Sequence, residues 1–298
     1  MTMKNAPVIG MDFGGTWIRA AVVAADGGCG PVVRRPTRRE RPAAEILADL
    51  VAIVAELRAT APAPPAGLAA GVATAVADDG RFLFPGNFPT LEGFPLRERL
   101  EAALALPVFC RNDADCFAAG EWWQGAGRGT RHFCGLTVGT GLGLGLILDG
   151  RLHRGAHGCA GEIWQTPLNG RCMEEEACGP FVAAEYERRS GHSCPGPEIH
   201  RLAAQGDPAA GAAYAALGRN LGVIAAFLVN TLDPERIAIG GAVAEAWPFF
   251  APAMEETLRE WTLAVAQPRI LPAVLGDRAA LLGAARLCRE ALADASRQ

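Results

Sequence analysis

Two stretches of the chain are built alike: an apolar run, a tight glycine–threonine turn, then a second apolar run. The first passes from Val8 through Gly14-Gly15-Thr16 to Val23; the second covers residues 133–148 around Gly139-Thr140-Gly141-Leu142-Gly143. Each reads as a β-hairpin whose turn presents backbone N–H groups and a threonine hydroxyl to a ligand. Glycine permits that approach because it lacks a Cβ and tolerates φ > 0. Successive N–H groups in such a turn form an anion-binding concavity. Two concavities in one chain suit one polyphosphate held from both sides, the arrangement phosphoryl transfer needs.

Other candidate groups surround these turns. Asp12 precedes the first turn, where a carboxylate can hold Mg2+ through water or simply satisfy turn N–H groups. Arg19, in the following strand, suits an ion pair better than a direct role. Gly240-Gly241 ends a buried run, a place where nucleotides commonly bind in α/β proteins. Asn112-Asp113 ends a short strand. There a carboxylate could orient an acceptor hydroxyl and take its proton, while Asx residues also serve as helix caps. His157, Glu162, Gln165 and Glu174 fall in a stretch dense in Gly, Cys and Glu. Carboxylates there could accept paired hydroxyls of a polyol.

The elements that must position these groups alternate between strand and helix. Strands are expected within 8–35, at 68–76, 108–110, 133–148, 236–241 and 269–274. Helices are expected at 43–59, 97–104, 114–123, 181–189, 208–228, 248–262 and 279–292. Asp207 reads as an N-cap with Pro208 at the first helical position. Residues 84–89 are too rich in proline to be other than a loop, and 155–179 reads as irregular. The alternation makes this an α/β protein. The paired hairpins hint at a duplication.

Composition narrows the classes. The chain has 298 residues, half of them apolar and 20% charged, which is ample for two lobes. Net charge is −4, so nothing favours nucleic acid or an anionic membrane as partner. The arginines at 34, 35, 38 and 39 are few and diluted by acids, and read as a solvated edge. No secretory signal and no uninterrupted membrane-length apolar run is apparent. Nine cysteines without framework spacing point to reduced, mostly buried thiols and a cytoplasmic protein.

Read in order, Asp12-Phe13-Gly14-Gly15-Thr16-Trp17-Ile18-Arg19, Asn87-Phe88-Pro89, Asn112-Asp113-Ala114-Asp115-Cys116, Gly139-Thr140-Gly141-Leu142-Gly143-Leu144-Gly145, Arg154-Gly155-Ala156-His157-Gly158-Cys159-Ala160-Gly161-Glu162-Ile163 and Gly240-Gly241-Ala242-Val243 resemble the ROK family of the hexokinase and actin-like ATPase superfamily. The resemblance covers nearly the whole length. It implies a two-lobe actin-like (ribonuclease H-like) fold with the ligand cleft between lobes. We expect residues 1–112 in a small lobe and 113–279 in a large one, with a last helix at about 280–298 packed back on the first. It also implies ATP and Mg2+, a hexose substrate, and Asp113 as catalytic base. Asn87, Asn112, Asp113, His157, Glu162, Gln165 and Glu174 would face the sugar. Asp12, Gly14, Gly15, Thr16, Gly139, Thr140, Gly141, Gly143, Gly240 and Gly241 would face ATP.

The chain departs from the family in one place. Typical members read Gly-Glu-Ile-Gly-His and then carry a cysteine-rich loop, and that His and three Cys bind zinc. Here Trp164-Gln165 follows Glu162-Ile163, so Gln165 stands where the histidine would. The loop is shortened and only Cys172 keeps register. A tetrahedral site needs four N or S ligands, so no zinc is expected. The expected activity is phosphorylation of the 6-hydroxyl of an aldohexose such as glucose or allose, with N-acetylmannosamine or fructose as alternative substrates. A non-catalytic sugar sensor is the alternative of another class. Family repressors carry a DNA-binding segment before the first phosphate motif; with Asp12 close to the first residue given, the expectation is a kinase rather than a repressor. A homodimer is the family-level expectation.

Overall fold

The computed structural model describes residues 5–77, 79–84, 86–265 and 268–297. Pro85, inside the expected loop at 84–89, and Gln298, at the end of the expected last helix, lie outside the described residues. In chain order the elements are β1 (Val8–Phe13), β2 (Trp17–Val23), β3 (Val33–Pro36), α1 (Ala43–Thr60), β4 (Leu68–Val72), α2 (Leu96–Leu104), β5 (Val108–Asn112) and α3 (Asp113–Gln124). There follow β6 (Phe133–Val138), β7 (Leu142–Leu148), β8 (Arg151–Leu152), β9 (Pro167–Leu168), β10 (Arg171–Cys172), α4 (Met173–Glu176), α5 (Gly179–Ser190) and α6 (Gly196–Ala204). The chain closes with α7 (Pro208–Leu232), β11 (Arg236–Gly240), α8 (Trp247–Trp261), β12 (Arg269–Pro272) and α9 (Ala279–Ala295).

Two sheets share one topology. The first runs β3-β2-β1-β4-β5 and the second β8-β7-β6-β11-β12. In each, the first three strands of the half are antiparallel neighbours and the last two run parallel to the first. Each glycine turn therefore joins the first two strands of its sheet. The two concavities occupy equivalent positions in the two halves.

Apolar spacing explains how each sheet is covered. Ile46, Leu50, Ile53, Val54 and Leu57 form one face of α1 and are buried with Ile9, Met11 and Phe13. In the second half, Leu217, Leu221, Ile224 and Leu228 of α7 are buried with Leu136, Val138 and Phe250. By length and composition α7 could cross a membrane, but 67% of its most apolar window is buried inside the fold. It is a core helix, interrupted by Gly218, Arg219 and Gly222. Asp207 caps it as expected, its Oδ1 accepting from Ala210 N at 2.7 Å with Pro208 in the first turn.

The halves exchange helices. α3 follows β5 of the first sheet but packs on β6 and β7 of the second; α9 follows β12 of the second but packs on β1 and β4 of the first. The two helices cross at Gly120 and Gly283. A Cβ on Gly283 would stand 1.6 Å from Cys116 O, and one on Gly120 would stand 2.0 Å from Ala279 O, so backbone meets backbone there. The carboxylate of Glu121, fully buried, accepts from Ala126 N at 2.8 Å, Val274 N at 3.0 Å and Leu275 N at 2.8 Å, and so fastens the end of α3 to the approach of α9.

Three local expectations change. The strand from Leu68 stops at Val72 because the chain turns at once, Thr74 N donating to Val72 O at 2.7 Å. Helix α6 was not anticipated; Pro197 in its first turn and the Glu198–Arg201 pair at 2.6 Å are its local signals. The stretch at 155–179 is not wholly irregular. It contains the hairpin β9–β10, closed by Asn169 (φ 53°) and Gly170 (φ 82°), both left-handed as a type I′ turn requires. Asn169 Nδ2 donates to Asn220 Oδ1 at 3.1 Å and to Glu176 Oε2 at 3.2 Å, tying the hairpin to α7 and α4.

Candidate active site

The carboxyl ends of β4 and β5, the second glycine turn and the stretch after β8 enclose a cleft of about 610 Å3. Asn112 ends β5 and caps α3, its Oδ1 accepting from Ala114 N at 2.8 Å and Asp115 N at 3.3 Å. Capping leaves Asp113 as the first helical residue, at the cleft, with its own Oδ1 2.9 Å from Ala114 N. A helix N-terminus favours the carboxylate form. Burial opposes this and wins, pushing the Asp113 carboxyl up to about 7, with the charges of Asp12 and Glu162 adding to the effect. Asp115, buried two residues on in the same helix, is likewise pushed to about 7 by burial, while Arg154 and Arg111 act against the shift.

Glu162 faces Asp113 from the other half. Its Oε2 accepts from the Trp164 indole Nε1 at 2.7 Å and its Oε1 lies 3.5 Å from Asn112 Nδ2. Burial raises its pKa and the indole bond acts the other way. Asn87 is held by Arg39 Nη1 at 2.9 Å and itself donates to Ala73 O at 3.3 Å. Glu174, on the short helix α4, reaches the second glycine turn, where its Oε2 accepts from Leu142 N at 3.0 Å.

The structure gathers Asn87, Asn112, Asp113, Glu162, Glu174, Gly139, Thr140, Gly141, Gly143 and Gly241 around this one cleft. It places Asp12, Gly14, Gly15, Thr16 and Gly240 outside the lining, and leaves His157 and Gln165 exposed. The first turn lies just behind Asn87: a Cβ on Gly15 would stand 3.2 Å from Asn87 Cβ. Asp12 is paired with Arg19 at 3.0 Å, and burial raises its pKa against that pairing. Trp164 rather than Gln165 enters the cleft, because the single 3-10 turn at Ile163–Gln165 points them in different directions.

One physical expectation is corrected. Gly14, Gly15, Gly139 and Gly141 have no left-handed φ; among the site glycines proposed from sequence only Gly241 does, at 87°. Gly141 serves by lacking a Cβ, since one there would stand 2.5 Å from Glu174 Oε2, whereas a Cβ on Gly139 would meet nothing within 4 Å. Sequence reasoning also missed Thr74, Phe84, Thr137 and Trp164, which line the cleft. Thr37, fully buried, supports the first turn by donating to Gly14 O at 2.6 Å.

A base must be ionised to accept a proton. Were Asp113 to serve as such a base, kcat/KM would fall about tenfold per pH unit below about 7 and level off above it. A profile flat from about pH 5.5 to 8 would contradict this assignment. Stability runs the opposite way: between the ordinary carboxylate pKa and 7 the native state holds a proton that the unfolded chain has lost, so Asp113 destabilises the fold increasingly as pH rises through that window.

A family model described as the ROK family matches residues 8–291. A glucokinase of Streptomyces coelicolor is 30% identical over 316 residues, covering 95% of this chain and 97% of its own. An N-acetyl-D-glucosamine kinase of Vibrio atlanticus is 31% identical over 232 residues, covering 71% of this chain and 76% of its own. The crystal structure of a ROK family glucokinase from Streptomyces griseus, in complex with glucose and AMPPNP, matches with a TM-score of 0.81 at 29% identity, over 96% of this chain and 100% of that one.

Proposed function

Because the chain belongs to the ROK family, with the actin-like ATPase fold, and is an ATP-dependent sugar kinase, we propose that it phosphorylates the 6-hydroxyl of an aldohexose, glucose or allose being the parent sugar, with Asp113 as general base. The observation that carries this reading is Asp113: a carboxylate of pKa about 7 at a cleft lined by a glycine turn and by Asn87, Asn112, Glu162 and Glu174. In this reading those four side chains hold sugar hydroxyls. Asp113 accepts the proton of the 6-hydroxyl as its oxygen bonds to the γ-phosphorus, and the bond to ADP breaks. Both glycine turns and Gly240-Gly241 hold ATP.

Asp12 is the residue that would hold Mg2+ through water. Its donor set fits a hard cation: Oδ2 engages Arg19 at 3.0 Å while Oδ1 lies on the side of the Gly14 turn. The metal, when bound, neutralises phosphate charge. The same reading takes residues 1–112 and 113–279 as the two lobes, with α9 returned to the first, and the protein as a cytoplasmic homodimer without bound zinc.

The test uses a sugar lacking the acceptor. With Mg·ATP, glucose or allose should yield a product whose phosphorus resonance couples to the C6 protons, and the 6-deoxy sugar should give no product. Phosphorylation of the 6-deoxy sugar would overturn the assignment of the hydroxyl. A second reading, an N-acylated hexosamine such as N-acetylmannosamine, is favoured by the indole of Trp164 beside Glu162.

A further inference from the structure

Two aromatic rings meet across the cleft. Phe84 lies on the loop after β4 and Trp164 on the turn after Glu162; both line the cleft, with ring centroids 5.8 Å apart and planes at 44°. Phe84 is 49% exposed, although its own carbonyl is fixed by the Thr74 hydroxyl. An anchored, half-open phenyl facing an indole leaves apolar surface available to a ligand in the same cleft.

Trp164 also changes what Glu162 can do. A carboxylate with both oxygens open can accept two neighbouring hydroxyls. Here the indole N–H occupies Oε2 at 2.7 Å, and Asn112 Nδ2 approaches only Oε1, at 3.5 Å. Oε1 is thereby the more open acceptor, and what remains of Oε2 lies beside the indole ring. A second, adjacent hydroxyl on that side would lie against aromatic carbon, with an Oε2 already engaged by the indole as its acceptor, and would gain less on leaving water. An acyl or methyl group in its place would meet a matching surface.

We propose that Trp164 and Phe84 set the sugar specificity of this cleft: they favour a hexose that carries a small apolar substituent, N-acyl or O-methyl, beside the hydroxyl accepted by Glu162, over the unsubstituted parent. This rests on the sugar-kinase reading of the same site. Trp164 acts both by contact and by positioning Glu162.

The experiment measures binding and turnover for matched pairs: glucose with N-acetylglucosamine, mannose with N-acetylmannosamine, and glucose with its methyl glycoside. In the unaltered protein, the substituted member of at least one pair should bind about tenfold more tightly than its parent, the size of effect a small apolar group has in a complementary pocket. Trp164→Ala should bring that ratio to about one, and Phe84→Ala should lower it in the same direction. Trp164→Phe keeps a ring but frees Oε2 of Glu162, so it should tighten binding of the parent, a gain that structural damage does not produce. Should Trp164→Ala fail to fold, the half-exposed Phe84 position carries the test. Parents that bind as tightly as every substituted partner, or a ratio that survives both alanine variants, would overturn the proposal. Preference in binding without turnover on any sugar would count against the kinase reading and not against this one. Turnover on parents with no preference would do the reverse.

Discussion

Asp113→Asn is expected to lower turnover by about a hundredfold to ten-thousandfold, the range removed when a positioned general base is lost. The amide has the shape of the carboxylate but cannot take the hydroxyl proton. It can still occupy the first helical position, because the cap of α3 is the Asn112 side chain, 2.8 Å from Ala114 N. Fold and ligand affinity should therefore be largely kept. The substitution also removes an ionisable group that burial pushes to about 7, so thermal stability near neutral pH should hold or rise slightly. Calorimetric sugar binding together with steady-state kinetics separates these effects. Residual turnover within about tenfold of the unaltered protein would remove Asp113 from the role of base.

Gly283→Leu is expected to have the largest effect on the fold. A Cβ there would stand 1.6 Å from Cys116 O, so the crossing of α3 and α9 must open for any side chain. The seam includes small buried residues, Cys116, Ala119, Ala284 and Ala285 among them, and the atoms nearest that Cβ are backbone of Cys116 and Gly120, which no change of rotamer moves aside. Overpacking of a tight core costs about 1–3 kcal/mol in ordinary cases, and this crossing, where backbone must shift, is expected to cost about 3 or more. For a chain of this size that lowers Tm by about 6 °C or more. Turnover should fall as well, because α3 carries Asp113 at its first position. A Tm within about 2 °C of the unaltered protein would show that the helices do not cross as closely as described.

How far the sequence foretold this depends on the range of the interaction. The two hairpins were legible because an apolar run, a glycine turn and a second apolar run are local signals; for the same reason the cap of α7 was legible in Asp207 and that of α3 in the pair Asn112-Asp113, of which Asn112 is the cap. Helix α6 was missed because a nine-residue element after Pro195 has little room for periodicity. The hairpin β9–β10 was missed although Asn169-Gly170 advertises it, since strands of two residues carry no alternation. In the site, the expected grouping of Asn87, Asn112, Asp113, Glu162 and Glu174 required a family resemblance, because the elements that bring them together are far apart in the chain. Thr74, Phe84 and Thr137 carry no such motif, and only strand register and loop course place them at the cleft. Gln165 was expected at the sugar and Trp164 stands there instead; which of two adjacent residues turns inward is decided by one 3-10 turn, beyond what spacing reveals.

The most direct test of a sugar-phosphorylating cleft is ADP release from Mg·ATP across a panel of aldohexoses, ketohexoses and N-acylated hexosamines. The account predicts that at least one sugar raises the rate well above that with ATP alone, and that Asp113→Asn removes the increase. A rate that no sugar stimulates, in protein that still binds ATP, would contradict it.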